Sequence, residues 1–219
     1  MFPSVLLFLK APRPTFVKTR LAADLGDEKA CLVYQALVKH TLSQIPTQFD
    51  LHIYFAPADK ETELEMRDWL GSENITYHPQ VSGDLGQRLQ QACEDRLKAG
   101  SPSLILLGGD CADFTTAHLI EAGDLLAKGQ PVIGPAEDGG YWLLGLNAEA
   151  PLELLFQNIP WSTPEVLPLT RSRFLEKEIT PHELEILSDI DDLPALESAI
   201  PKHPFLSPIH SIKTHVTRH

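Results

Sequence analysis

The residues of this chain that could do chemistry come in short clusters, each placed just after a run of apolar residues. The first is Lys10-Ala-Pro-Arg13-Pro-Thr-Phe-Val-Lys18-Thr-Arg20. Four of the eighteen Lys and Arg residues fall within these eleven positions, no acid accompanies them, and two prolines stiffen the segment. In a chain with 30 acidic residues and a net charge of −12 this is a local reversal of sign. Polyphosphate suits such a cluster, because Arg grips phosphate oxygens bidentately and Lys neutralises them as a point charge. A solvated basic loop balancing acidic neighbours would have the same composition.

Four further clusters follow. Gln80-Val-Ser-Gly83-Asp84-Leu85-Gly86-Gln87-Arg88 places glycines around a helix start, where backbone can approach a ligand closely and N–H groups favour a polar or anionic partner. An ordinary loop capped by Asp84 fits as well. Gly108-Gly109-Asp110-Cys111 sets a carboxylate beyond an apolar run, a position suited to a hard cation that takes one or two carboxylates plus substrate phosphates. Asp110 as a simple helix cap is the alternative, and Cys111, with no basic partner implied, reads as packing. Glu137-Asp138-Gly139-Gly140-Tyr141-Trp142 reads either as a turn pressed against a substrate, with Trp142 as a stacking surface, or as a tight turn with Trp142 in the core. In Ser188-Asp189-Ile190-Asp191-Asp192, close carboxylates invite a cation, although a solvated turn with an N-cap looks the same.

The elements that must position these clusters alternate. Short branched runs at Ser4–Leu9, Leu51–Ala56, Asn74–His78, Ser103–Leu107, Pro131–Gly134, Tyr141–Leu146 and Glu183–Leu187 predict strands. The first and fourth are continuously apolar, as strands buried on both faces of a parallel sheet should be. Cys31, Tyr34, Val38, Leu42 and Ile45 form one helix face, and Leu85, Leu89, Ala92, Cys93 and Leu97 another. Asp84 with Gln87, and Ser162 with Glu165, predict capping boxes. The expectation is an α/β fold: a single three-layer α/β/α domain on a mainly parallel, mixed sheet. In such sheets ligands bind beyond the carboxyl ends of the strands, where all five clusters fall.

Length and composition set the limits. A chain of 219 residues predicts one large domain over residues 1–200. Residues 201–219 carry three Pro, four His, three basic residues and no acid, which predicts an irregular tail. The −12 charge argues against nucleic acid and anionic membranes as partners. Three cysteines without a CxxC pair suit a reducing compartment. No signal-like segment or long apolar run is present, so the expected location is cytoplasmic.

The segments LLFLKAPRPTFVKTRL, QVSGDLGQRL, LLGGDCADF, GPAEDGGYWLLGL, IPWSTPEVL and LSDIDD together resemble the bacterial DUF2064 family of GT-A-fold, glycosyltransferase-like proteins, over about Val5 to Leu193. The resemblance implies a Rossmann-like nucleotide-diphospho-sugar transferase fold. It implies nucleotide phosphates on Arg13, Lys18 and Arg20, with Lys10 in the same loop, and base contacts from Gln80, Gly83 and Asp84. It further implies a Mg²⁺ or Mn²⁺ ion on Asp110 and Asp191, with Asp189 in reserve. The family usually has Gly where Thr15 stands and Pro where Ala112 stands.

The expected function is therefore metal-dependent transfer from an activated nucleotide, foremost a nucleotide sugar, to a small-molecule acceptor. Asp110 and Lys18 would serve catalysis and Asp138 would orient or deprotonate the acceptor. Glu137, Gly139, Gly140 and Trp142 would line the substrate. Nucleotidyl transfer from an NTP with release of pyrophosphate is the alternative, and a nucleotide-binding module without turnover is a third reading.

Overall fold

The computed structural model describes residues 2–207. Seven strands, β1 (Ser4–Lys10), β2 (Asp50–Ala56), β3 (Ile75–Pro79), β4 (Ser103–Leu107), β5 (Val132–Pro135), β6 (Tyr141–Asn147) and β7 (His182–Glu183), form one sheet in the order β3-β2-β1-β4-β6-β5-β7. β1 to β4 pair in parallel. β6 runs antiparallel to both β4 and β5, while β5 and β7 are parallel. Only a short turn joins β5 to β6, too short for the crossover a parallel pair needs, so the sheet must be mixed there.

The helices are α1 (Thr19–Leu25), α2 (Asp27–Ser43), α3 (Lys60–Leu70), α4 (Leu85–Lys98), α5 (Thr116–Leu126), α6 (Leu152–Phe156), α7 (Val166–Leu175) and α8 (Leu193–Ala199), followed by a 3-10 turn at Pro204–Leu206. Strand side chains alternate between two faces. Val5, Leu7, Ile53, Phe55 and Ile105 pack with Val38, Met66 and Leu119 of α2, α3 and α5. Leu6, Tyr54, Leu106 and Leu144 pack with Leu89, Phe156 and Phe174 of α4, α6 and α7. This is the expected three-layer α/β/α sandwich. No helix among the described residues is long and apolar enough to cross a membrane.

Four local expectations need correction. α2 buries two faces rather than one: Ala30, Val33 and Leu37 meet Leu21, Leu196 and Leu206, because α1, α8 and the 3-10 turn cover its outer side. Leu206 is fully buried there, so packed structure continues past residue 200; residues 208–219 of the expected tail lie outside the described residues. The strand expected at Glu183–Leu187 shortens to His182–Glu183, and the chain then peels off, keeping single bridges at Ala136–Leu187 and Cys111–Asp189. Asp84 and Gln87 do form a capping box, but Ser162 and Glu165 do not: α7 starts from Glu165 without a side-chain cap. Ser162 instead sits at φ +62°, in the loop before the helix.

Candidate active site

β1 and β4 are neighbours whose chains leave in opposite directions, β1 toward β2 and β4 toward β6, which makes their carboxyl ends the topological switch point. The basic loop follows β1 there, and Gly108-Gly109-Asp110 follows β4. The peeled-off segment after β7 is tied to the same place by the hydrogen bond from Ile190 N to Asp110 O (3.0 Å). Three distant stretches of sequence thus converge.

Lys18 is the centre of the convergence. It stands just before α1 in a left-handed conformation, φ 47° and ψ 45°, which turns its side chain inward. Non-glycine residues hold that conformation at a cost and often where function requires it. The ammonium lies 2.7 Å from Asp110 Oδ1 and donates to Asp191 Oδ1 at 2.8 Å, with only 4% of the side chain exposed. Burial alone would lower the Lys18 pKa, but the two carboxylates outweigh it and hold the ammonium above its ordinary value. Asp191 is likewise pushed up by burial and pulled further down by Lys18 and Arg20, so it stays ionised. For Asp189 the balance is reversed: burial, then the nearby Asp110 charge, outweighs the pull of Lys18 and raises its pKa to about 7. The two carboxylates of the DID segment therefore differ in charge near neutral pH.

Three cavities meet at this point. One of about 260 Å³ is lined by Lys10, Lys18, Thr19, Arg20, Tyr34 and Asp110, and is rich in cations. A second of about 470 Å³ is acidic, with Glu137, Asp138, Asp189, Asp191 and Asp192 along its wall. A third of about 340 Å³ is walled largely by apolar and aromatic groups and shares Asp110 with the first and Asp138 with the second.

The structure brings together Lys10, Lys18, Arg20, Asp110, Asp189 and Asp191, with Glu137 and Asp138 at the rim. Other expected residues lie elsewhere. Arg13 is drawn to α3, where it pairs with Glu65 at 2.7 Å and reaches Thr62 Oγ1, and it does not line the cationic cavity. Gln80 spends its amide on Leu9 O and Tyr54 O, tying the ends of β1 and β2. Gly83 makes room for Gln87 of the capping box, and Asp84 is the cap itself.

Trp142 is among the residues lining the third cavity, but its ring is almost wholly packed within the protein. Its ring is 2% exposed, packs into space left by Gly134 and donates from Nε1 to Glu185 O. Gly139, at φ +88°, lacks a side chain because Pro164 lies against it, so its close approach is to protein rather than to a substrate. Thr15 holds φ +69°, the conformation for which the resembled family's glycine is suited.

Sequence reasoning missed Tyr34, Thr19, Phe8 and Trp161 as lining residues. Tyr34 lies on the expected apolar face of α2 and in the core, and its hydroxyl also donates to Lys10 O and accepts from Lys10 N, bracing the end of β1. Phe8 left a signal as an aromatic near the end of an apolar run, and Thr19 and Trp161 lie in segments that carry the family resemblance.

The donor set suits a hard divalent cation. Asp110 Oδ1 is buried and lacks a donor of hydrogen-bonding geometry, since Lys18 approaches it closely but off angle. Asp191 faces it across the ammonium. No group of three or more metal-ligating side chains occurs among the described residues, so any cation here would complete its shell with phosphate or water, as Mg²⁺ commonly does.

The sequence profile of a family described as uncharacterised proteins conserved in bacteria (DUF2064) matches residues 41–163. No curated protein sequence matches the chain. Among solved structures, a provisionally named nucleotide-diphospho-sugar transferase from Desulfovibrio desulfuricans G20 superposes with a TM-score of 0.85 at 26% identity, covering 94% of this chain and 93% of that one. CMP:2-keto-3-deoxy-manno-octonic acid synthetase complexed with CTP (TM-score 0.56, 11% identity, 92% and 98% covered) shares the fold. So does a cytidylyltransferase from Leptospira borgpetersenii serovar Hardjo-bovis strain JB197 (0.56, 15%, 100% of both chains).

Proposed function

The chain belongs to the DUF2064 family and is a transferase by kind, and from that premise we propose that it transfers a glycosyl group from a nucleotide sugar to a small hydroxylated acceptor. The observation that carries this reading is the buried Lys18 ammonium set between Asp110 and Asp191 at the carboxyl ends of β1 and β4. Held between two carboxylates, the ammonium is positioned where the diphosphate of an activated donor would meet it once a divalent cation takes over the carboxylate oxygens. It is ready to stabilise the charge that grows on the leaving group.

Lys10, Lys18 and Arg20 bind the phosphates in the cationic cavity. Asp110 and Asp191 are the residues that would hold Mg²⁺ or Mn²⁺, whose chemistry is to neutralise phosphate charge and stabilise the leaving group. Asp138, fixed by the hydrogen bond from Gly140 N at 2.8 Å, faces the acceptor side and orients or deprotonates its hydroxyl.

Nucleotidyl transfer is the second reading. It is favoured by the three cations along one cavity, which suit a triphosphate as well as a diphosphate. Incubation with Mg²⁺ or Mn²⁺, a panel of nucleotide sugars and NTPs, and mixed hydroxylated acceptors separates the two. Release of a nucleoside diphosphate from a nucleotide sugar is the expected result. Pyrophosphate release from an NTP would establish the second reading instead.

A further inference from the structure

The cavity of about 340 Å³ is not accounted for by phosphates or by a cation. Its walls include Phe8 of β1, Leu85 and Leu89 of α4, Tyr141 of β6, Trp161 in the loop before α7 and Val166, and Gly108 and Gly109 also line it. Phe8 is the anomaly that points to a ligand. From Ser4 to Leu9, β1 is buried at every position except Phe8, although it is a central strand covered by helices on both faces. The ring stacks on Tyr54 on one side, at 5.1 Å between centroids, and its remaining surface stands between this cavity and the cationic one, lining both. Leu85 adds to this, since a leucine at the start of α4 is 38% exposed immediately after the cap.

The cavity is built rather than incidental. Gly86 carries no side chain because Phe156 O lies against it, and a Cβ there would also press on Trp161 Nε1 at 2.8 Å. A glycine one residue into α4 thus lets the indole sit over the helix and form a wall. The volume lies at the low end for small-molecule sites, which are mostly apolar with a few placed polar groups. Those groups here are Asp110 and Asp138 at the mouth, with Ser162 and Thr163 beside them.

We propose that this cavity receives the apolar, ring-sized body of the acceptor, so that the acceptor is a hydroxylated aromatic or alicyclic compound rather than a polyol or a sugar. The assignment rests on the transfer reading above. A hydroxyl at the mouth lies beside Asp138, while the body fills the space between Phe8, Leu85 and Trp161. A polyol would leave most of its hydroxyls facing these walls without partners, which is costly.

The test uses the full chain and 2-naphthol as probe, with glycerol and glucose as polar comparisons, read by calorimetry. Binding of UDP, GDP, CDP and ADP with Mg²⁺ is measured in parallel. The expected result is that 2-naphthol binds and the polar compounds do not. Trp161→Ala and Leu85→Gln should each weaken 2-naphthol by about tenfold while leaving nucleotide affinity unchanged. Leu85→Gln alters an exposed position, so it keeps the test readable if loss of Trp161 disturbs folding. Absence of 2-naphthol binding, or undiminished binding in both variants, overturns the proposal. So does competition between 2-naphthol and a nucleotide, which would give the cavity to the nucleobase. If 2-naphthol binds as described and no nucleotide does, the ligand site stands and the transfer reading falls.

Discussion

Lys18 and the two aspartates it joins form a closed electrostatic unit, and single substitutions should expose its logic. The ammonium occupies the space between Asp110 and Asp191, so a divalent cation and Lys18 compete for the same oxygens until phosphates offer Lys18 another partner. We expect Lys18→Met to lower the melting temperature, and Mg²⁺ or Mn²⁺ to raise it again in the variant without nucleotide. The unmodified chain should show no metal-induced shift unless nucleotide is present. Breaking a fully buried pair costs ~3–5 kcal/mol. Here the carboxylates are 43% and 41% exposed, so solvent screening should keep the loss well below that. The same unit separates Asp191 from Asp189. Asp191→Asn removes a charge that holds Lys18 and should weaken metal-dependent nucleotide binding by about tenfold, roughly the loss of one charge-assisted hydrogen bond. Asp189→Asn removes a carboxyl that burial already keeps partly protonated. Calorimetric titration of both variants checks the order, and an equal or larger loss at Asp189 would reverse the assignment.

At the scale of elements, β2 and β3 are joined by more than their backbone ladder. His52 Nε2 lies 2.8 Å from Asp50 Oδ2, and His52 Nδ1 lies 3.0 Å from His78 Nε2. The arrangement that satisfies both contacts has two neutral rings, with His52 donating to Asp50 and accepting from His78. Burial, followed by the Arg96 charge and His52, lowers the His78 pKa to about 4. An unfolded histidine titrates at about 6.5. Between those values the unfolded chain binds the extra proton and the folded chain does not, so stability is present above pH 6.5 and is lost as the pH falls toward 4. His78→Gln should flatten this acid limb. Melting temperatures of the variant and the unmodified chain should converge between pH 7.5 and pH 5, whereas parallel curves would show that His78 does not titrate in this way.

For the molecule as a whole, the sheet holds two cores of its own and a third cluster built outside α2 by α1, α8 and the 3-10 turn. That outer cluster matters to function because α1 starts at Lys18 and α8 follows Asp191, so its packing clamps both ends of the charge unit. Leu206 seals it at 0% exposure. Leu206→Ala should therefore destabilise the chain by ~2–5 kcal/mol, the range for a buried leucine. It should also loosen nucleotide binding although the residue lies outside every cavity described. Denaturant unfolding and nucleotide titration on the same variant check both halves, and a change under ~0.5 kcal/mol would place the cluster outside the cooperative unit.

The amino-acid sequence by itself determined whatever rests on neighbours along the chain. Ser103–Leu107 is a strand because it is an unbroken apolar run, α4 begins at Asp84 because a cap and its partner lie three residues apart, and each polar cluster follows a strand. Tertiary structure decided which clusters meet and which side chains are spent elsewhere. Lys18 and Asp191 are 173 positions apart, and nothing local to either announces the pairing. Arg13 has the right type and place for a phosphate, yet Glu65 on α3 captures it. α3 itself left little trace in the sequence, since only Thr62 and Met66 of its eleven residues are buried. Trp142 and Gly139 look like substrate contacts in the sequence, yet the Trp142 ring is buried and Gly139 lies against Pro164. The reason is common to all of these: capping and periodicity are set within a few residues, whereas burial and charge pairing depend on which strand ends the topology brings together.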